Sequence, residues 1–268
     1  MRAIRGFTLV ELAVVLAIVA LLMSTLLYTL SAQTEQRTFS ETRQRLETAR
    51  DALLSFAIVK GRLPCPARFT SATNHSQGLE SFCTTADTPC TGAETTTEQT
   101  HGHCFSAWDG YLPAASLGLT GVDAYGFATD AWGNQLRYVV TRLNDTSTCA
   151  TTPPANTTPI YTSKSNLKTY GIACQPNDLL VCRSATGIGS TDCGTANNAI
   201  MTTSTVVAIV FSTGKNGSLG SPSTDEAANL NGDRVFVWHT PTSTFDDQML
   251  WITAGELYGK LVSAGVLP

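Results

Sequence analysis

The chain begins with a continuous apolar segment that contains a single charged side chain. Residues 7–30 carry only Glu11 as a charge, and the run is long enough to cross a hydrocarbon core at ~1.5 Å per residue. Arg2 and Arg5 precede it. Because positive charges stay in the cytoplasm, the rest of the chain is expected on the far side of the membrane. The pattern predicts a single-pass membrane segment at residues 7–30.

An amphipathic helical pattern follows the apolar segment. Apolar residues recur at spacings of three, four and seven, which places them on one face: Phe39, Leu46, Ala49, Leu53, Phe56 and Ala57. Charged residues such as Arg45 and Arg50 are expected mostly on the opposite face. Gly61 is a suitable C-cap, and Pro64 prevents continuation. We therefore predict one helix over residues 7–60, whose second half packs against a head domain at residues 61–268.

Strand patterns separated by polar loops characterise the head domain. DAWGNQLRYVV predicts a turn followed by a strand, and STVVAIVFSTG predicts a buried strand rich in β-branched residues. DRVFVWHT predicts a further strand, and the last twenty residues predict a strand and a short helix. Residues 67–107 and 141–200 are polar and rich in cysteine. The expected fold class is α+β, with a long helix packed on an antiparallel sheet and disulfide-tied loops.

Charge and cysteine content narrow the classes of function. The net charge is −4, and no Lys/Arg cluster follows the membrane segment, so no nucleic-acid groove is indicated. All eight cysteines follow the apolar segment, which favours disulfides in an oxidising compartment over free buried thiols. No CxxC motif is present, so thioredoxin-like redox chemistry lacks its motif.

The stretch RGFTLVEL at the start of the apolar segment is a short but specific motif. It resembles the processing site of type IV prepilins and type II secretion pseudopilins. The resemblance implies that a prepilin peptidase cuts between Gly6 and Phe7 and methylates the new N-terminus, which makes Glu11 the fifth residue of the mature chain. The alternative, an uncleaved signal anchor, leaves unexplained a carboxylate that costs roughly 2.5–3.5 kcal/mol at a membrane helix centre.

A carboxylate in apolar surroundings needs a positive partner. The new amine of Phe7 is awkwardly placed to reach Glu11 within one chain, whereas neighbouring subunits staggered along a filament bring the two together. Their attraction is strong in a low-dielectric helix bundle. We predict that Phe7 and Glu11 mediate assembly with other pilin or pseudopilin subunits. The resemblance also implies that an inner-membrane assembly platform is a partner and that the C-terminus lies in the periplasm.

Two segments of the head extend the resemblance. GRLPCPARF resembles a segment of large pilin-like proteins, and D-x-W-G-N resembles an element of the major pseudopilin of type II secretion. The resemblance implies a pilin fold and a Cys65–Cys104 disulfide, with Trp132 in the core. Short loop spans favour three further pairs: Cys83–Cys90, Cys149–Cys174 and Cys182–Cys193.

The segment between the two predicted strands STVVAIVFSTG and DRVFVWHT combines glycines with oxygen-bearing side chains. They are Asp225, Glu226, Asn229, Asn231 and Asp233. Calcium takes six to eight oxygen ligands from such flexible loops. The loop resembles the calcium loop of the major pseudopilin with shifted ligand positions, so we predict calcium; the alternative is a solvated, turn-rich loop. Asp246 and Asp247 are further candidates.

Other metal and enzyme chemistry finds little support. HGHC brings His101, His103 and Cys104 together, with Cys83 and Cys90 upstream, but oxidised cysteines are poor zinc ligands. G-x-S-x-G, H-E-x-x-H and P-loop motifs are absent, so no enzyme is predicted.

These patterns favour a structural subunit, a minor pilin-like component of a type IV pilus. It would reside in the inner membrane and then in a filament at the cell surface or in the periplasm. Two alternatives remain open: a pseudopilin of a type II secretion system, and an adhesin or binding head carried by a pilin helix.

Overall fold

A computed structural model describes residues 8–71, 74–87, 89–142, 158–217 and 222–267, and shows residues 24–32 only through the backbone of their helix. The chain divides into two compact units, Met1–Glu41 and Thr42–Pro268. Each unit is described by itself.

Helices and short strands alternate along the chain. The helices are α1 (Leu9–Lys60), α2 (Lys164–Tyr170), α3 (Thr224–Ala228) and α4 (Ala254–Ser263). The strands are β1 (Phe69–Ser71), β2 (Asn74–His75), β3 (Phe82–Cys83), β4 (Glu94–Thr95), β5 (Arg137–Val140), β6 (Leu180–Cys182), β7 (Ala199–Met201), β8 (Val206–Ser212), β9 (Val235–Val237) and β10 (Gln248–Thr253). The α+β class with antiparallel sheets is confirmed.

The long helix α1 ends where the sequence predicted. Gly61 follows Lys60 with φ of +73°, a left-handed conformation that suits glycine, and its N–H donates to the Ala57 carbonyl at 2.8 Å. The predicted first residue, Phe7, lies outside the described residues.

Within the first unit, α1 exposes apolar side chains around its whole circumference. Eleven large apolar residues between Leu9 and Met23 are exposed, from Leu9 at 87% to Val19 at 40%. Among the described residues, no helix has the length and apolarity required to span a membrane. The assignment of residues 7–30 as a membrane segment stays a prediction.

Within the second unit, residues 42–60 of α1 contribute one face to the core. Leu46, Ala49, Leu53 and Ala57 are buried beside residues of β5, β8 and α4, as the spacing predicted. The opposite face is less solvated than predicted, because Arg45 and Arg50 bond to the head. Arg45 donates to two backbone carbonyls in residues 129–130, and Arg50 donates to the Trp251 carbonyl and pairs with Glu256.

The main sheet has the order β10–β8–β5 and is fully antiparallel. Every residue of β8 is buried, as expected for a central strand covered on both faces. In β5, Tyr138 and Val140 face the cluster that includes α1, whereas Val139 faces a second cluster with Ile209 and Phe211. A second sheet, β7–β6–β9, includes a parallel β6–β9 pair and so departs from the purely antiparallel arrangement expected.

Disulfides close the polar loops of the head. Cys65–Cys104, Cys83–Cys90 and Cys182–Cys193 are bonded, which confirms these three predicted pairs. Cys149 lies outside the described residues, so the pairing of Cys149 with Cys174 stays a prediction.

Candidate functional site

The N-terminal motif forms a capping box at the start of α1. The Thr8 N–H donates to Glu11 Oε2 at 2.9 Å, and the Glu11 N–H donates to Thr8 Oγ1 at 3.2 Å. The Thr8 carbonyl accepts from Leu12 N at 3.2 Å, which makes Thr8 the residue that caps the helix. The Glu11 carboxylate therefore has a partner inside its own chain. The T-x-x-E spacing of Thr8 and Glu11 is the sequence signal of this box.

The two predicted processing residues, Gly6 and Phe7, lie outside the described residues. Thr8 and Glu11 are themselves exposed, so the Glu11 carboxylate remains accessible at the beginning of the helix.

Three carboxylates converge in the head, and we call Glu226, Asp246 and Asp247 the carboxylate cluster. Each offers an oxygen within 4.8 Å of the others. Glu226 and Asp247 are almost fully buried, at 1% and 2% exposed, and Asp246 is partly buried. Like charges held this close in a buried setting repel each other and favour neutralisation.

Backbone and amide donors fix Glu226 in the cluster. It occupies the third position of α3, where a capping box with Ser223 holds it: the Ser223 N–H donates to Glu226 Oε2 at 2.7 Å. Asn216 Nδ2 donates to both carboxylate oxygens at 2.9 and 3.0 Å, and Asp246 N donates to Oε1 at 3.0 Å. This side chain is oriented before any ligand binds.

Asn229 orients Asp247. Its Nδ2 donates to Asp247 Oδ2 at 2.7 Å and to the Val237 carbonyl at 3.0 Å, while its Oδ1 accepts from Val237 N at 2.7 Å. Burial raises the pKa of Asp247 to about 8, and the nearby Glu226 and Asp246 push it in the same direction. Without a cation, the Asp247 carboxyl therefore favours its protonated form near neutral pH.

Asp246 leaves one oxygen without a hydrogen bond. Its Oδ2 accepts from Lys215 N at 3.1 Å, whereas Oδ1 is buried and has no hydrogen-bond partner among the described residues. Burial, followed by the charge of Glu226, raises the pKa of Asp246. Gly214 stands directly against it with φ of +63°, and a Cβ there would lie 2.0 Å from Asp246 Oδ1. A buried acceptor without a donor is costly, and a cation would satisfy it.

The donor set fits a hard divalent cation, because calcium and magnesium prefer carboxylate and carbonyl oxygens. The acids that converge nevertheless differ from the residues that the sequence suggested as calcium ligands. Of the five calcium ligands predicted from the sequence, Glu226 belongs to the carboxylate cluster. Asn229 is next to the cluster and donates a hydrogen bond from its amide to Asp247. The other two cluster members, Asp246 and Asp247, were only secondary candidates.

The remaining predicted ligands are engaged elsewhere. Asp225 accepts from Ala185 N at 2.6 Å and lies 3.1 Å from His239 Nε2. Asn231 Nδ2 donates to Asp233 Oδ2 at 2.9 Å, and Asp233 Oδ1 accepts from Val235 N at 2.7 Å. These side chains stabilise the turn before β9 and the contact between α3 and the neighbouring loop.

The HGHC segment does not gather the set of zinc ligands considered for it. Cys83, Cys90 and Cys104 are in disulfides, and His101 Nδ1 accepts from His103 N at 3.0 Å. Within the described part of the chain, neither histidine belongs to a metal-binding group.

Residues 130–134, which we call the DAWGN turn, attach α1 to the head. Asp130 is buried, and its Oδ1 accepts from the N–H groups of Trp132 and Asn134 at 2.9 and 2.8 Å. Trp132 is only partly buried, whereas the sequence placed it in the core. On the helix side, Thr42 Oγ1 accepts from Ala131 N at 3.1 Å.

Comparison with known proteins bears on the N-terminal motif. Residues 1–27 match the family model described as the prokaryotic N-terminal methylation motif. This motif is the signature of type IV pilins and pseudopilins, and the chain carries it. No curated protein and no solved structure gives a significant match to the chain.

Proposed function

We propose that the protein is a minor pilin-like structural subunit of a type IV pilus, processed by prepilin peptidase and assembled into a helical filament. The observation that carries this proposal is the methylation motif at residues 1–27. The exposed apolar side chains of α1 between Leu9 and Met23 support it, because a helix that is apolar all round requires lipid or other helices around it.

Glu11 has a specific role in this proposal. Its carboxylate accepts from the Thr8 N–H and hydroxyl, both at 2.9 Å. Cleavage after Gly6 adds a second donor, the charged amine of Phe7 on a neighbouring subunit. The capping contact keeps the acid stable in the unassembled chain, and the intermolecular ion pair adds the attraction that selects the register of the incoming subunit.

The experiment is complementation of a strain that lacks the gene, followed by shearing of surface filaments. Mass spectrometry of the sheared protein is expected to show a mature chain that starts at N-methylated Phe7. Glu11→Gln is expected to lower incorporation at least tenfold. Glu47→Gln is the matched control, since this acid of α1 is exposed and pairs with Arg43 on the same helix. Retention of the first six residues, or parental incorporation of Glu11→Gln, would refute the proposal.

A type II secretion pseudopilin is the second candidate. The DAWGN turn and the carboxylate cluster support it, whereas the disulfide-tied loops support a pilus. Deletion strains separate the two: loss of surface filaments indicates the pilus, and retention of a secreted cargo protein in the periplasm indicates secretion.

A binding head is a third candidate, and one surface favours it. A groove of about 600 Å³ lies between charged residues of α1 and β10, with Trp238 and Trp251 in its lining. If this groove binds a surface ligand, Trp251→Ala lowers adhesion of cells without lowering the amount of sheared filament.

We also propose that the carboxylate cluster holds one calcium ion, which would supply positive charge to three converging acids. Glu226, Asp246 and Asp247 would hold it. The buried Asp246 Oδ1, which has no hydrogen-bond partner among the described residues, supports the assignment. Isothermal titration with calcium tests it on the full chain in detergent. Asp247→Asn is expected to weaken binding at least tenfold. Asp233→Asn, an acid on the same loop but outside the cluster, is expected to bind like the parent.

A further inference from the structure

The carboxylate cluster is continuous with the loop that follows β8. Asp246 Oδ2 accepts from Lys215 N at 3.1 Å, and Asn216 Nδ2 donates to Glu226 at 2.9 and 3.0 Å. Gly214 touches Asp246 so closely that a Cβ there would overlap the carboxylate. The position of the backbone at residues 214–216 is therefore set together with the positions of the acids.

The same loop is bonded to the DAWGN turn on its other side. Ser212 Oγ accepts from Gly214 N at 3.0 Å and donates to Asp130 Oδ2 at 2.6 Å. Asn134 Nδ2 donates to the Gly214 carbonyl and also to Asp130 Oδ2. Ser212 and Asp130 are buried at 0% and 2% exposed, so water competes little for these bonds.

The DAWGN turn in turn binds α1. Ala131 N donates to Thr42 Oγ1 at 3.1 Å, and Thr42 is fully buried. Arg45 Nη1 donates to the carbonyls of Thr129 and Asp130 at 2.8 Å each. An unbroken set of hydrogen bonds and close contacts thus joins the carboxylate cluster to residues 42–45 of the helix.

We propose that a cation bound at the carboxylate cluster strengthens the attachment of α1 to the head through Ser212, Gly214 and the DAWGN turn. The inference rests on the proposed calcium site. A cation that fixes the position of Asp246 also fixes the loop at residues 214–216. Local unfolding of the DAWGN turn that requires this loop to move therefore becomes less frequent. Ser212 is the positioning residue, because its hydroxyl bonds to both the loop and the turn.

Hydrogen exchange of the full chain in detergent, with calcium and with a chelator, tests the inference. Two peptides report: residues 242–250 cover part of the cluster, and residues 128–136 cover the DAWGN turn. When the free calcium concentration is about 100 times Kd, amide hydrogen exchange that requires the calcium site to unfold slows by up to about a hundredfold. In the parent, both peptides are expected to slow by tenfold or more.

Ser212→Ala separates the two ends of the path. It is expected to keep the calcium-dependent slowing at residues 242–250 and to reduce it at residues 128–136, where the bond from Asn134 Nδ2 to the Gly214 carbonyl is the remaining link. Ser204→Ala is the matched control, because Ser204 is an exposed serine just before β8 whose hydroxyl lies near that of Thr202. This variant is expected to behave as the parent at both peptides.

The remaining outcomes distinguish the inference from the calcium proposal. Slowing at residues 242–250 alone in the parent, or turn protection in Ser212→Ala that equals the parent's, overturns the coupling through Ser212 and leaves the calcium site standing. No slowing at either peptide overturns the calcium site and the coupling with it.

Discussion

Replacing Glu80 by glutamine removes the main countercharge of a buried arginine. Arg62 is 1% exposed and donates from Nη1 and Nη2 to the two Glu80 oxygens at 2.6 and 3.0 Å. Glu80 also accepts from Cys65 N at 2.9 Å, and the guanidinium lies 5.3 Å from the Phe82 ring centroid. Breaking one side of a buried ion pair typically costs about 3–5 kcal/mol, because the remaining charge stays buried.

The second acid on this arginine gives an internal comparison. Glu98 Oε1 accepts from Arg62 Nε at 3.0 Å, but its side chain is 52% exposed. Solvent screens such a pair, so Glu98→Gln is expected to cost no more than about 1 kcal/mol. Glu80 accepts two bonds from Arg62 and Glu98 accepts one, so burial and the bidentate geometry both make the Glu80 pair the stronger of the two.

The assay is urea denaturation of both variants in detergent, followed by tryptophan fluorescence with the disulfides intact. At a urea m-value of about 2 kcal/mol/M, a cost of about 3–5 kcal/mol corresponds to a fall of roughly 1.5–2.5 M in the urea midpoint. If Glu80→Gln is no more destabilising than Glu98→Gln, burial does not control the strength of this pair and the reasoning is wrong.

Three further changes test other parts of the head by the same assay. Gly214→Ala is expected to cost at least about 1 kcal/mol, since alanine is strained at φ of +63° and its Cβ would overlap a neighbouring carboxylate; an unchanged urea midpoint contradicts this. Burial, followed by the charge of His101, lowers the pKa of His103. The unfolded chain therefore binds more protons, and stability falls as pH drops below about 6.5, a fall that His103→Gln should reduce. Thr253→Ala removes the hydroxyl that accepts from a backbone N–H at 3.2 Å at the start of α4, at a cost of about 1 kcal/mol, whereas a cost near zero would show that this cap is dispensable.

Features encoded by nearby residues were predictable from the sequence. The end of α1 at Lys60 follows from Gly61 and Pro64, which act within one turn of the helix. The Cys83–Cys90 and Cys182–Cys193 bonds follow from short loops, which bring their cysteines together at small entropic cost.

Features that depend on distant residues were not predictable. Arg45 and Arg50 look like solvent-facing charges in the helical pattern, but their acceptors lie far along the chain, at residues 129–130 and at Trp251. The carboxylate cluster also depends on residues that are far apart in the sequence. Strand β9 separates Glu226 from Asp246 and Asp247 along the chain. Contacts between α3 and β9, together with the bonds from Asp246 N to Glu226 and from Asn229 to Asp247, bring the three acids together.

The apolar circumference of α1 restricts how a subunit can travel. Moving the eleven exposed residues between Leu9 and Met23 through water would cost on the order of 20 kcal/mol, at about 1.5–3 kcal/mol for each large side chain. In the proposed filament, a subunit is therefore expected to move laterally from the lipid bilayer directly into the apolar helical core of the filament. If that filament forms, a monomer detached into water would be a costly intermediate, and subunits would have to reach the filament within the bilayer.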